Sequence, residues 1–248
     1  MQTAIALSDF IAGPLADRDA ILSDLDGSLV SAGTVLPGVA ELFARSASRL
    51  RVVSNNSTDT AQSLAIRLAG LGLSLPSERL FLAGEATVRH LAHTVPGARI
   101  ALFAAPALQS LAESLGLRPD RQTPEVAMLA RDPGFSFDDL ILLASLAHDA
   151  VPIWITNPDP MHPGANGTPV PETGAIWAAV CAAAPNATAQ SLGKPAPDLV
   201  HAALAHAGVA ASAAVFLGDT DATDGKAARA ASVEFVLLRR PMAGRASC

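Results

Sequence analysis

Tyrosine is absent from the 248 residues, and the other rings bring the aromatic content only to 4%. Nucleobase and carbohydrate platforms need exposed rings to stack on, so both are disfavoured. Cysteine is nearly missing too. Cys181 and Cys248 are too few for a disulfide framework or a zinc site, and they fit a reducing cytosol. Their simplest reading is one small buried apolar residue and one loose C-terminal thiol. Charged residues make up 16%, with no run of Lys or Arg. Lys+Arg of 17 against Asp+Glu of 23 gives a formal net charge of −6, which argues against nucleic acid or an anionic membrane as the main partner. No stretch reaches the roughly 18 consecutive apolar residues of a membrane helix. The opening MQTAIALSDF has no basic residue ahead of its apolar part, so it is a poor secretory signal. These absences point to a soluble, cytoplasmic globular protein.

Half of the residues are hydrophobic, enough for a sizeable core. At about 150 residues per domain the length allows one or two domains. Short apolar runs alternate with helix-like stretches. Ala20–Ser23 stops at Asp24, Leu50–Val53 at Ser54-Asn55-Asn56, and Ala213–Leu217 at Gly218-Asp219. Each has the length and apolarity of a buried strand. Between them, Val39, Leu42, Phe43 and Leu50 fit one helical face. Leu64, Leu68 and Leu71 fit a second, stopped by Gly72, and Val200, Ala203, Leu204 and Ala207 a third, stopped by Gly208. Strand–helix alternation implies a parallel α/β sheet, with ligands bound beyond the carboxyl ends of the strands. A second α/β unit fills the middle. Arg99–Phe103, Val126–Ala130 and Val151–Thr156 read as strands, with a helix ending at Gly116 and another starting at Ser136 with Asp139. The Pro-, Gly- and Asn-rich segment 157–173 reads as loop.

Four polar clusters could carry chemistry. In Asp24-Leu25-Asp26-Gly27-Ser28 two carboxylates follow a strand and could face one pocket, dividing nucleophilic and acid/base work; a plain turn is the rival reading. Ser54-Asn55-Asn56-Ser57 offers a hydroxyl and backbone N–H groups to a phosphate, although taken alone it is better read as a helix cap. Lys194 lies between Gly193 and Pro195, where it could be a fixed charge or an ordinary surface lysine. Asp219, Asp221 and Asp224 follow another strand and suggest a hard-cation site, with Asp221 equally readable as part of a turn. A calcium loop from Asp24 fails, because Leu29 and Val35 stand where it needs Gly and Glu. A phosphate-binding P-loop at Gly193-Lys194 fails at Thr188. His148, His162, His201 and His206 form no recognisable metal set, and the last two read as surface residues of a helix. In this order the four clusters supply a nucleophile, an acid/base, phosphate ligands and a metal site. Phosphoryl transfer through an aspartyl-phosphate needs all of them.

With these motifs the sequence resembles the haloacid dehalogenase superfamily over about residues 18 to 240. DLDGS at Asp24–Ser28 is similar to its first motif, Ser54-Asn55 to the second, GKPAP around Lys194 to the third and GDTDATD ending at Asp224 to the fourth. From Ser54 to Lys194 is 194 − 54 = 140 residues, far more than one crossover needs. An insertion there resembles the type IIA branch, the NagD-like and 4-nitrophenylphosphatase-like proteins with a C2 cap. Ala83-Gly84-Glu85-Ala86-Thr87 and Thr156-Asn157-Pro158-Asp159-Pro160 support that branch. The sequence departs from the family pattern in placing Ser54 where Thr is common, and Ala222 and Gly225 at positions usually polar and aliphatic.

The resemblance implies a Rossmann-like α/β core with a parallel sheet, from residues 1–81 and 182–248, and an α/β cap from 82–181. It implies a Mg²⁺-dependent phosphatase acting on a small phosphomonoester. Asp24 would be the nucleophile and Asp26 the acid/base. Ser54, the Asn55 backbone N–H and Lys194 would bind phosphate. Asp24, the Asp26 carbonyl and Asp219 would hold Mg²⁺, and Asp224 would orient these ligands. An acid at Asp26 favours ester hydrolysis over dehalogenation, because a halide leaves without a proton. A phosphotransferase or phosphomutase, and a catalytically silent phosphoester-binding protein, remain the alternatives. Asn157 and Asp159 are expected chiefly as turn formers, though their loop could border the site. Dimers through the cap occur in this branch, so a homodimer is compatible with it.

Overall fold

The apolar runs become the strands of two parallel sheets. The structure, a computed structural model, describes residues 3–164 and 168–239; Cys248 lies outside them. The chain opens with helix α1 (Leu7–Ala12), strand β1 (Ala20–Ser23) and a hairpin of β2 (Val30–Ser31) and β3 (Thr34–Val35). Then come α2 (Val39–Ser46), β4 (Leu50–Ser54), α3 (Ala61–Gly70) and β5 (Leu80–Leu82). The middle holds α4 (Ala83–Thr94), β6 (Arg99–Phe103), α5 (Pro106–Ser114), β7 (Arg118–Pro119), β8 (Val126–Leu129), α6 (Phe137–His148) and β9 (Ile153–Ile155). A ribbon of β10 (Met161–Pro163) and β11 (Pro169–Pro171) leads into α7 (Thr173–Ala183). The described chain finishes with α8 (Asp198–Ala207), β12 (Ala214–Gly218), a π-helical turn at Asp221–Gly225, α9 (Lys226–Ala230) and β13 (Glu234–Leu237).

The first sheet has the order β13-β12-β1-β4-β5 and the second β7-β6-β8-β9, with parallel pairing throughout. Strands β1, β4 and β12 are buried along their whole length. Helices cover both faces of such a sheet, so its strands read as unbroken apolar runs. Successive side chains still take opposite sides. Ile21 packs with Leu42 of α2 and Leu64 of α3, whereas Leu22 packs with Val200 of α8 and Ala227 of α9. The second sheet repeats the sandwich. Ile100 and Met128 meet Val88 of α4 and Leu108 of α5, while Phe103 and Leu129 meet Leu143 of α6 and Val180 of α7. Among the described residues no helix is long and apolar enough to cross a membrane.

Helix ends follow the expected chemistry. Gly208 caps α8 in the left-handed region at φ 69°. Ser136 Oγ accepts from Asp139 N at 3.1 Å, and Asp139 Oδ2 accepts from Ser136 N at 2.8 Å. This reciprocal box starts α6 where the sequence placed it. Ser136→Ala is expected to cost about 1 kcal/mol. For a chain of this length that lowers the melting temperature by about 2–4 °C, measurable by thermal unfolding.

Three local expectations need correction. Leu50 is the first residue of β4 and not part of the α2 face, because α2 ends at Ser46. Ser54–Ser57 does not cap α3; Thr60 does, accepting from Ser63 N at 3.2 Å. Segment 157–173 is not all loop, since β10 and β11 pair within it, with His162 opposite Val170. Pro163, Pro169 and Pro171 alternate with the positions that pair through N–H groups, so the ribbon tolerates them.

Candidate active site

Three adjacent strands deliver the candidate residues to one end of the first sheet. Asp24 follows β1, Ser54 ends β4, and Asp219 follows β12. Asp24 N donates to Leu217 O at 2.8 Å, which ties the first and fourth motifs together. The chain then turns at Gly27, with φ +87° and its N–H donating to Val30 O at 2.7 Å, and enters the β2–β3 hairpin. A Cβ at Gly27 would run into the Asp219 carboxylate, so glycine serves both the turn and the close approach.

Lys194 is 2% exposed and is the cation of the site. Its Nζ donates to Asp24 Oδ1 at 2.6 Å and to Asp224 Oδ1 at 2.7 Å, and it stands 5.6 Å from the centre of the Phe216 ring. Burial opposes the ammonium charge, but Asp224 and Asp24 outweigh it and hold the group above its ordinary range. Asp24 goes the other way. Burial raises its carboxyl well above the usual value, Lys194 pulls it down, and Asp224 and Asp219 push it up again. Asp26 is exposed at the mouth. The surrounding protein raises its carboxyl, with Arg67, His162 and Lys194 opposing. Asp224 Oδ2 also accepts from Thr220 N at 3.1 Å, and Asp219 Oδ1 from Thr220 Oγ1 at 2.9 Å. Asp221 faces outward and pairs with Arg229 at 2.8 Å, in keeping with its turn reading.

Oxygens of Asp24, Asp219 and Asp224 lie within 4.8 Å of one another. Three carboxylates against one ammonium leave −3 + 1 = −2 in formal charge. An all-oxygen set with that deficit suits a hard divalent cation such as Mg²⁺.

The second motif joins the two sheets. Asn55 Oδ1 accepts from Lys194 N at 2.8 Å, and its Nδ2 donates to Lys194 O and to Asp159 Oδ2, both at 2.9 Å. Asn157 Nδ2 donates to Asn55 O at 2.9 Å, and Arg131 N to Ser57 Oγ at 3.2 Å. Ser54 Oγ is buried and accepts from Asn56 N at 3.1 Å. A Cβ at Gly193 would strike Thr156 O, so this convergence of loops requires glycine there. Asn157 and Asp159 therefore do more than form a turn. Nothing local in the sequence signals this, since Asn55 and Asp159 are 104 positions apart. His162 is held at 2.6 Å by Glu172, whose other neighbour is Arg131 at 3.4 Å.

Acid residues thus stand past β1 and β12 of a doubly covered parallel sheet, with a buried lysine between them. Residues 21–118 match the family model described as haloacid dehalogenase-like hydrolase, and residues 191–246 match a second one described as HAD-hydrolase-like. The chain belongs to the haloacid dehalogenase-like hydrolases and is an enzyme of that family. A curated relative, dihydroxyacetone phosphatase of Corynebacterium glutamicum, is 30% identical over 222 residues, 88% of this chain and 80% of that protein. The 4-nitrophenylphosphatase structure from Thermotoga maritima superposes with a TM-score of 0.82 at 26% identity, covering 93% of this chain and 89% of that one. Glycerol phosphate phosphatase from Mycobacterium tuberculosis, in complex with magnesium, superposes with a TM-score of 0.83 at 27% identity, covering 92% and 70%.

Proposed function

We propose that this chain is a Mg²⁺-dependent phosphatase that hydrolyses a small phosphomonoester through an aspartyl-phosphate. The convergence of Lys194 on Asp24 and Asp224, beside Asp219, carries the reading. Asp24 Oδ attacks phosphorus while the ester P–O bond breaks, and Asp26 gives its proton to the departing oxygen. Water then attacks the aspartyl-phosphate and passes a proton to Asp26. Inorganic phosphate leaves, and Asp24 is regenerated. Asp26 stands exposed at the mouth, where a carboxyl can exchange protons with a departing oxygen and with water. Ser54, the Asn55 N–H and Lys194 take the phosphoryl oxygens. Asp24, the Asp26 carbonyl and Asp219 are the residues to hold Mg²⁺, with Asp224 orienting them, and the ion supplies positive charge against an anionic substrate that the carboxylates alone would repel.

Residues 1–81 and 182–248 form the catalytic core in this reading, and 82–181 form the cap that selects the leaving group. The magnesium-bound relative and the phosphatase names of the others support it. The test is release of 4-nitrophenol from 4-nitrophenyl phosphate by the purified chain. Release with Mg²⁺ that stops in EDTA is expected. No release from this ester or from a panel of natural phosphoesters overturns the reading, and phosphoryl transfer to an added alcohol in place of water redirects it to a phosphotransferase.

A further inference from the structure

We infer that Asp159 is a positioning residue of the phosphate site, setting the orientation of the Asn55 amide and through it the main chain of Lys194. The inference rests on the phosphatase reading above and gives a role to a residue outside the four catalytic motifs.

The Asn55 side chain is fully engaged. One amide hydrogen goes to Lys194 O and the other to Asp159 Oδ2, while Oδ1 takes Lys194 N–H. It therefore grips both the donor and the acceptor of the Lys194 main chain, and no amide hydrogen is left for a substrate. An Asn amide can in principle sit either way round. In the flipped orientation Oδ1 would face Lys194 O and the Asp159 carboxylate, and Nδ2 would face Lys194 N–H, so all three contacts would turn repulsive. Lys194 O and N discriminate between the orientations only while the loop holds its shape. Asp159 adds an acceptor from a different segment that is itself fixed. Its N–H donates to Asn157 Oδ1 at 3.0 Å, Asn157 Nδ2 returns to Asn55 O at 2.9 Å, and Gly174 N donates to Asp159 O at 2.8 Å. The segment that follows β9 thus clamps the loop that carries the catalytic-site ammonium. Lys194 Nζ sits between Asp24 and Asp224 at 2.6 and 2.7 Å, so a small shift of its main chain misplaces the charge meant for the phosphoryl oxygens.

Because Asp159 acts on Lys194 and not on the leaving group, its removal has a recognisable signature. Asp159→Ala is expected to lower kcat/KM about tenfold, and by the same factor for 4-nitrophenyl phosphate and for glycerol 3-phosphate. It should weaken inorganic phosphate binding in calorimetry to a similar degree. Asp159→Asn keeps an oxygen acceptor for Asn55 Nδ2 and should recover activity to within about threefold of the parent. The inference is overturned if Asp159→Ala matches the parent, if its loss falls on one ester alone, or if Asp159→Asn is as poor as Asp159→Ala, which would make the charge the operative property. Circular dichroism melts of both variants separate misfolding from misplacement. A parent that binds phosphate but hydrolyses neither these esters nor the wider panel overturns the phosphatase reading, while the phosphate affinities of the two variants still decide the role of Asp159.

Discussion

Asp24→Asn is expected to lower turnover of 4-nitrophenyl phosphate by about 10³-fold or more while leaving the metal-free fold at least as stable as the parent. The first half follows from the nucleophile role proposed for Asp24, a loss of the size seen when a nucleophile is removed. The second half follows from the balance of forces on a buried carboxylate. Burial is the largest influence on Asp24, and it raises the carboxyl despite the Lys194 contact. A carboxyl raised in the folded state favours folding below its unfolded value, and that benefit is lost as pH rises through the folded value. Above its unfolded value Asp24 therefore works against the fold. Asparagine removes that cost, and Lys194 keeps Asp224 at 2.7 Å as its partner. Thermal unfolding in EDTA at neutral pH checks the sign. An Asn variant melting several degrees below the parent would mean that the Asp24–Lys194 attraction outweighs burial. A gain of stability with loss of activity is the pattern expected of a site kept strained for function.

The sequence made some of this legible and hid the rest for physical reasons. Strands β1, β4 and β6 could be read because a sheet covered on both faces needs continuous apolar runs with polar residues just beyond. The same rule places Asp24, Ser54 and Asp219 at one end of the sheet. The α6 start was readable because a capping box is a contact between neighbours, Ser136 and Asp139. What failed was long in range or overrode a propensity. Proline density marked segment 157–173 as loop, yet in a two-stranded ribbon the missing N–H groups fall at unpaired positions. Lysine is ordinarily exposed, and Lys194 departs from that only because Asp24 and Asp224, 170 and 30 positions away, reach its Nζ. Asn157 and Asp159 have turn propensities that say nothing of Asn55, with which they share hydrogen bonds across the two sheets.

Lys194→Met separates what the ammonium does for folding from what it does for phosphate. Methionine keeps an unbranched stem of similar length, so the apolar packing beside Phe216 is largely retained and the charge is what goes. It leaves Asp24 and Asp224, with side chains 10% and 2% exposed, without their cation. Removing one partner of a buried ion pair typically costs about 3–5 kcal/mol. Proton uptake by the stranded carboxyls relieves part of this, so about 3 kcal/mol is expected, a fall in melting temperature of about 6–12 °C for a chain of this length. Turnover should drop by about 10²–10³-fold, as when one preorganised charge facing a transition state is lost. Magnesium gives the sharper comparison. When ionised the three carboxylates carry −3, reduced to −2 by Lys194 in the parent but not in the variant. The ion should therefore raise the melting temperature of the variant by more than it raises that of the parent. It should not restore turnover if Lys194 plays the proposed phosphate-binding role, because the ion neutralises the carboxylates without supplying that charge. A variant that melts with the parent in EDTA would show that this ammonium is not what makes the buried acids tolerable. A variant that recovers full turnover with magnesium would show that its charge is not specific to the phosphoryl group.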